Sequence, residues 1–118
     1  MIRKLCFIVA IVSLSVGCAT TSQGGYYWGN YSNAYYEWLK SPSPETLVQR
    51  KESLEDIINT SKEKDLRVPP GIYAELGKIY MELKNPEMAT SMISAEMETY
   101  PESRVFLQRL MEQSQGGN

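Results

Sequence analysis

Apolar and polar positions follow two regimes along this chain. From Leu5 to Val16 twelve residues run without a charge, behind the short basic start Met1-Ile-Arg-Lys. Beyond Gly25 apolar residues instead recur three and four apart, the period of a helix that buries one face, and no convincing two-residue alternation appears. Tyr31, Tyr35, Trp38 and Leu39 share one side of a first helix over residues 30–40, which Ser41-Pro-Ser-Pro ends. Ser43 is placed as the N-cap of a second helix with Pro44 in its first position. Leu47, Leu54, Ile57 and Ile58 form its apolar stripe beside Arg50, Lys51, Glu52 and Glu55, and the pattern fades at about residue 62. Lys62-Glu-Lys-Asp is a solvated charge cluster, and Val68-Pro-Pro resets the chain.

Residues 69–103 are the most informative stretch. Ile72, Tyr73, Leu76, Ile79, Tyr80 and Leu83 fall on one helical face; Lys84-Asn85-Pro86 is a turn in which Asn85 caps the next helix; Met88, Ala89, Met92, Ile93 and Met97 make a second face. Tyr100-Pro101 stops it, and Ser103 to Gln113, with Phe106, Leu107, Leu110 and Met111, predicts a last helix. The expected fold class is all-α, with a helical domain over 30–113 and a frayed tail over 114–118.

The N-terminal regime has the layout of a secretory signal peptide. Twelve residues make a helix of about 18 Å, short of the roughly 30 Å hydrocarbon core of a bilayer, so a permanent span is the weaker reading. Leu14, Ser15, Val16 and Gly17 directly precede Cys18. This resembles the lipobox of bacterial lipoproteins, although Ser15 stands where leucine is commonest and Leu14 sits one place further out. The resemblance implies cleavage between Gly17 and Cys18, a signal peptide over 1–17, and acyl chains, palmitate among them, on Cys18. The other reading is an ordinary signal peptide with Cys18 as a free or paired thiol. Cys6 would leave with the leader, however, and Cys18 would then have no partner within the chain. Several acyl chains hold a protein firmly where one anchors only marginally. Ala19, rather than aspartate, follows Cys18, which in many Gram-negative bacteria implies sorting to the outer membrane. Residues 18–29 then read as a lipidated cysteine with a flexible tether.

The helical part resembles the tetratricopeptide repeat, a helix-turn-helix unit of about 34 residues. With Pro70 as first position, Tyr73, Leu76, Gly77, Tyr80, Ala89, Ile93 and Pro101 fall on its signature positions, whereas Glu96 stands where a small residue is expected and implies a looser helix crossing. Gly77 and Ala89 are small where the two helices must approach closely. Trp28, Tyr31 and Tyr35 mark an earlier, degenerate repeat with Ser32 in place of the glycine. The architecture expected is about two hairpin units plus a last helix; a generic helical bundle would carry the same stripes. The order of lipobox, Tyr27-Trp28-Gly29-Asn30-Tyr31 and tandem hairpins also resembles a family of small bacterial lipoproteins often encoded beside a lipoprotein like the curli secretion pore. That resemblance implies a part in envelope assembly or export, a pore-like lipoprotein among the candidate partners, and no enzymatic activity.

Composition narrows the chemistry. Histidine is absent, which removes the usual imidazole base and the commonest metal ligand. Without Arg3 and Lys4 the chain carries 10 basic and 14 acidic residues, no footprint for nucleic acid. No nucleophile elbow or phosphate-binding glycine loop appears. Glu55-Asp56 and Glu63 with Asp65 read as solvated helix faces rather than a glycosidase pair or a calcium loop. Neither a metal nor another cofactor is expected. Seven aromatics, all Tyr or Trp, crowd into residues 26–38. Core packing, a seat at the membrane interface and a glycan-binding patch are the roles open to them. The function expected is a non-catalytic, periplasm-facing scaffold held to the outer membrane through Cys18. The alternative is a module that binds peptidoglycan or lipopolysaccharide through the aromatic patch.

Overall fold

The computed structural model describes residues 25–116. The expected signal peptide, Gly17–Cys18 cleavage position, acylation of Cys18 and tether as far as residue 24 fall outside the described residues. Five α-helices and one short 3₁₀ turn make up the described part, with no strand among them: α1 Tyr31–Lys40, α2 Pro44–Glu63, α3 Ile72–Glu82, α4 Pro86–Thr99, the 3₁₀ turn Pro101–Ser103 and α5 Arg104–Gln115. The protein is all-α, as expected, and its boundaries lie within two residues of those read from the pattern. The last helix runs two residues past Gln113, so Ser114 and Gln115 are helical rather than tail.

Local chemistry explains where the helices begin. The Ser43 hydroxyl accepts from the Thr46 N–H at 3.1 Å and the Ser43 N–H donates to Thr46 Oγ1 at 2.9 Å, a reciprocal cap ahead of Pro44. Asn85 caps α4 through Met88 N–H at 3.2 Å, again with a proline in the first turn. The helices stack in order: α1 on α2, α2 on α3, α3 on α4, with α5 held by α4 and the 3₁₀ turn. The core lies between α2 and α3 and contains Leu54, Ile57, Ile58, Val68, Ile72, Tyr73, Leu76 and Ile79.

The closest helix approach is between α3 and α4. A Cβ on Gly77 would stand 2.9 Å from Ile93 Cγ1 and 3.2 Å from the Ala89 carbonyl oxygen, so hydrogen at this position is what lets the two backbones meet. Ala89 and Ile93 are buried on the facing side. Leu83, expected on the buried face of α3, is the residue that ends the helix and is exposed.

Candidate functional site

Residues 26–29 were expected as the end of a tether, but they lie against the helices. The Tyr27 hydroxyl donates to Asp56 Oδ2 on α2 at 2.9 Å, and the Tyr26 and Tyr100 hydroxyls are 3.4 Å apart. Gly29 turns the chain into α1 at φ +46, a conformation that costs a side chain dearly, and a Cβ there would meet Asp56 and Tyr27 at 3.0 Å. Local sequence carries little signal for this docking, because Tyr27 and Asp56 are 29 residues apart.

From Tyr26 an unbroken row of rings crosses the surface. Tyr26 and Trp28 meet edge-on at 6.4 Å, Trp28 and Tyr31 at 5.3 Å, Tyr31 and Tyr35 lie parallel at 6.0 Å, and Tyr35 and Trp38 follow at 6.3 Å. Helical spacing sets the last two contacts, since positions 31, 35 and 38 share one face of α1. The Arg50 guanidinium of α2 lies 5.0 Å from the Tyr35 centroid and 4.7 Å from that of Trp38. Its Nη2 bonds Glu75 Oε2 at 3.2 Å, while the Tyr31 hydroxyl donates to Glu75 Oε1 at 2.6 Å. Burial, then the Glu75 carboxylate, pushes the Tyr31 phenol up to about 12. Three helices are thereby tied beneath the row. Core packing, one of the roles open to this cluster, is met only in part: Tyr27 and Tyr31 pack on the core, whereas Trp28 is 43% and Tyr36 59% exposed.

The acidic pairs separate. Glu55 Oε1 accepts from the Tyr80 hydroxyl at 2.9 Å and from Lys51 Nζ at 2.9 Å; burial raises its carboxyl, but the ammonium and phenol outweigh that and hold it below the usual range. Asp56 accepts from Tyr27 and Thr60. Glu63 closes α2 and Asp65 follows its end. Asn33, Glu37, Glu52 and Asp56 line a polar groove of about 360 Å³ between α1 and α2, yet no group of three or more Asp, Glu or Cys that could hold a metal occurs among the described residues.

One functional-looking carboxylate escaped the sequence reading. Glu96, expected to loosen the helix crossing, is 3% exposed and does the reverse. Its Oε1 accepts from the Gly71 N–H at 2.7 Å, and the N–H groups of Tyr73 and Ala74 face it. Gly71 sits at the cap of α3 with no side chain to offer, so α4 supplies the missing acceptor. Burial raises the Glu96 carboxyl and the Glu102 charge adds to it, against the pull of those three N–H groups. A signal was present: Ala89, Ile93 and Glu96 lie on one stripe of α4 behind a helix start that lacks a capping side chain. Next to it the Tyr100 hydroxyl donates to the Val68 carbonyl at 2.7 Å, and the Arg67 guanidinium lies 4.0 Å from the Tyr100 ring centre.

The other end of the stack is open and shows two large apolar side chains among polar ones. On α5 only Leu107 is buried, while Val105 and Phe106 are 61% and 68% exposed. A cleft of about 820 Å³ lies beside this helix, lined by Met81, Pro86, Thr90 and Met111. Of the signature positions, Tyr73, Leu76, Gly77, Ala89 and Ile93 are buried, Tyr80 is half-buried, and Pro101 is exposed at the start of the 3₁₀ turn. Gly77, Ala89 and Ile93 make the α3–α4 contact, whereas Leu76 and Tyr80 also line a shallow cleft of about 250 Å³ with Ile58 of α2 and Met88 and Met92 of α4.

No curated protein and no solved structure matches this chain. A family model described as a domain of unknown function (DUF4810) matches residues 26–110, beginning at the first ring of the aromatic row and ending within α5, and the chain belongs to that family.

Proposed function

We propose that this protein is a lipid-anchored envelope scaffold: a bacterial outer-membrane lipoprotein, acylated on Cys18, whose tetratricopeptide-like hairpins bind a protein partner without catalysis. The observation that carries this reading is the open end of the stack. In arrays of helical hairpins each unit buries its face on the next, and a terminal helix needs a polar outer side to remain soluble alone. α5 instead offers Val105 and Phe106 to solvent. These two adjacent side chains, beside the cleft lined by Met81 and Met111, are the surface we assign to the partner, since contiguous apolar patches mark such contacts. The partner would be an envelope protein, a pore-like lipoprotein among the candidates, engaged on the periplasmic side. Tethering by lipid raises the effective concentration of the two, so a modest interface suffices.

The test is expression of the full-length protein with a C-terminal tag in a Gram-negative host, followed by mild crosslinking and fractionation. Wild type should reach the outer membrane with specific envelope proteins attached. Cys18→Ser should lose the membrane, and Phe106→Ser should keep the membrane and lose the partner. Wild type and Cys18→Ser both soluble and both alone would sink the proposal.

A further inference from the structure

We propose that the aromatic face of α1 is a membrane seat: the row from Trp28 to Trp38 lies against the headgroup layer of the bilayer that holds the lipid anchor. This rests on the lipid-anchored reading above. Its first support is reach. Seven residues lie between Cys18 and Tyr26, and the eight steps from one to the other span at most about 28 Å when fully extended. The row begins where this tether ends, so the rings nearest the lipid are also the first of the exposed row.

The second support is the chemistry of the rings. Every member of the row is tyrosine or tryptophan, the two side chains with an apolar body and a polar tip, which concentrate at the headgroup level of membranes. Leu39, on the last turn of α1, is 54% exposed and extends the apolar edge. Guanidinium groups flank the row: Arg50 lies over Tyr35 and Trp38, and Arg67 lies over Tyr100 beside Tyr26. Both are already engaged, Arg50 by Glu75 and Arg67 by the Thr99 carbonyl, so they brace the rings from beneath and leave contact with the headgroups to the rings themselves. A sugar would need a free ring face to stack on, and the Tyr35 ring is already engaged by Tyr31 and Arg50. These observations favour a lipid surface over a glycan.

The chain's two tryptophans both belong to the row, which makes the seat directly measurable. The full-length mature protein is reconstituted in vesicles of phosphatidylethanolamine and phosphatidylglycerol, with and without lipids brominated near the headgroup. Acylation of Cys18 is read separately from the intact mass. Trp28→Phe and Trp38→Phe leave one reporter each. Trp38 stands seven residues, about 10 Å, along α1 from its start. The expected result is that bromolipid quenches most of the emission of both single-tryptophan variants. Quenching of Trp28 alone means an end-on tether and overturns the seat. An acylated protein with neither residue quenched also overturns it and leaves the lipoprotein reading standing. Soluble peptidoglycan fragments that shift the emission while bromolipid does not would assign the row to glycan and overturn it likewise. An unacylated Cys18 removes both readings together.

Discussion

Replacing Gly77 by alanine tests whether the α3–α4 approach is as close as described. Judged as a helix residue alone, the change gains about 0.8–1.0 kcal/mol of propensity. The site opposes it. The new methyl would stand 2.9 Å from Ile93 Cγ1 and 3.2 Å from the Ala89 carbonyl oxygen, both inside ordinary van der Waals contact. Ile93 is 2% exposed and cannot swing away freely, and the carbonyl belongs to the α4 backbone. Adding a methyl to a packed contact costs about 1–3 kcal/mol, so against the propensity gain the net expectation is a loss of about 1 kcal/mol. For a domain of this size that lowers Tm by about 4–8 °C. Urea unfolding followed by circular dichroism should show a lower midpoint at unchanged slope. A double-mutant cycle sharpens the point. Ile93→Ala alone should cost about 2–5 kcal/mol, but the double variant should fall short of the summed losses by about 1 kcal/mol, because removing Cγ1 relieves the clash. A Gly77→Ala protein as stable as wild type, or a strictly additive cycle, would refute the close-approach argument.

Three further outcomes follow from the caps and carboxylates. Ser43→Ala removes the acceptor for Thr46 N–H and should cost about 1 kcal/mol in the same urea assay. The Tyr31 phenol, ordinarily near 10 and held at about 12, keeps its proton longer in the folded chain than in the unfolded one, so stability should fall as pH rises from 10 toward 12. Glu75→Gln should bring that titration down in an absorbance measurement of phenolate, though not fully, because burial is the larger cause. Glu96 is also raised by burial, so between its unfolded value near 4.5 and its higher folded value the native state binds more protons and stability should decline as pH rises. Glu96→Gln, compared with wild type in urea melts across that range, should flatten the decline; an unchanged slope would assign it to other groups.

What the sequence disclosed and what it hid divide by distance along the chain. Helix starts at Ser43-Pro44 and Asn85-Pro86 were legible because the capping partners are three residues apart. The buried stripe of α2 was legible because Leu54, Ile57 and Ile58 repeat with the helix. Gly77 was legible as a contact point because small size at a helix crossing has few other uses. The Tyr27–Asp56 bond, the Tyr31–Glu75–Arg50 junction and the Glu96 cap join residues 25–44 apart, and periodicity says nothing about which helix meets which. The 3₁₀ turn between Tyr100 and α5 shifted the last helix start by one residue, since Pro101 opens a tighter turn before the α-helix proper.

A helix at either end of an ordered stack has neighbours on one side only, and here the two ends are secured differently. α1 packs on α2, and its rings are tied through Glu75 to α3 and through Arg50 to α2. Its exposed row is therefore a braced surface, whose rings keep their spacing whether or not anything lies against them. α5 is held by α4 and the 3₁₀ turn, with Leu107 as its one buried side chain. Helices with few buried contacts open locally at low free energy. A braced aromatic face suits a broad, unstructured surface such as a bilayer, which offers no fixed shape to match. A loosely held helix with exposed apolar side chains suits a folded partner, because the helix can settle into the shape it meets and gains burial by doing so. On the proposed reading the same asymmetry divides the work: the aromatic row on α1 meets the bilayer, and α5, on the opposite side of the stacking order, is left for the partner.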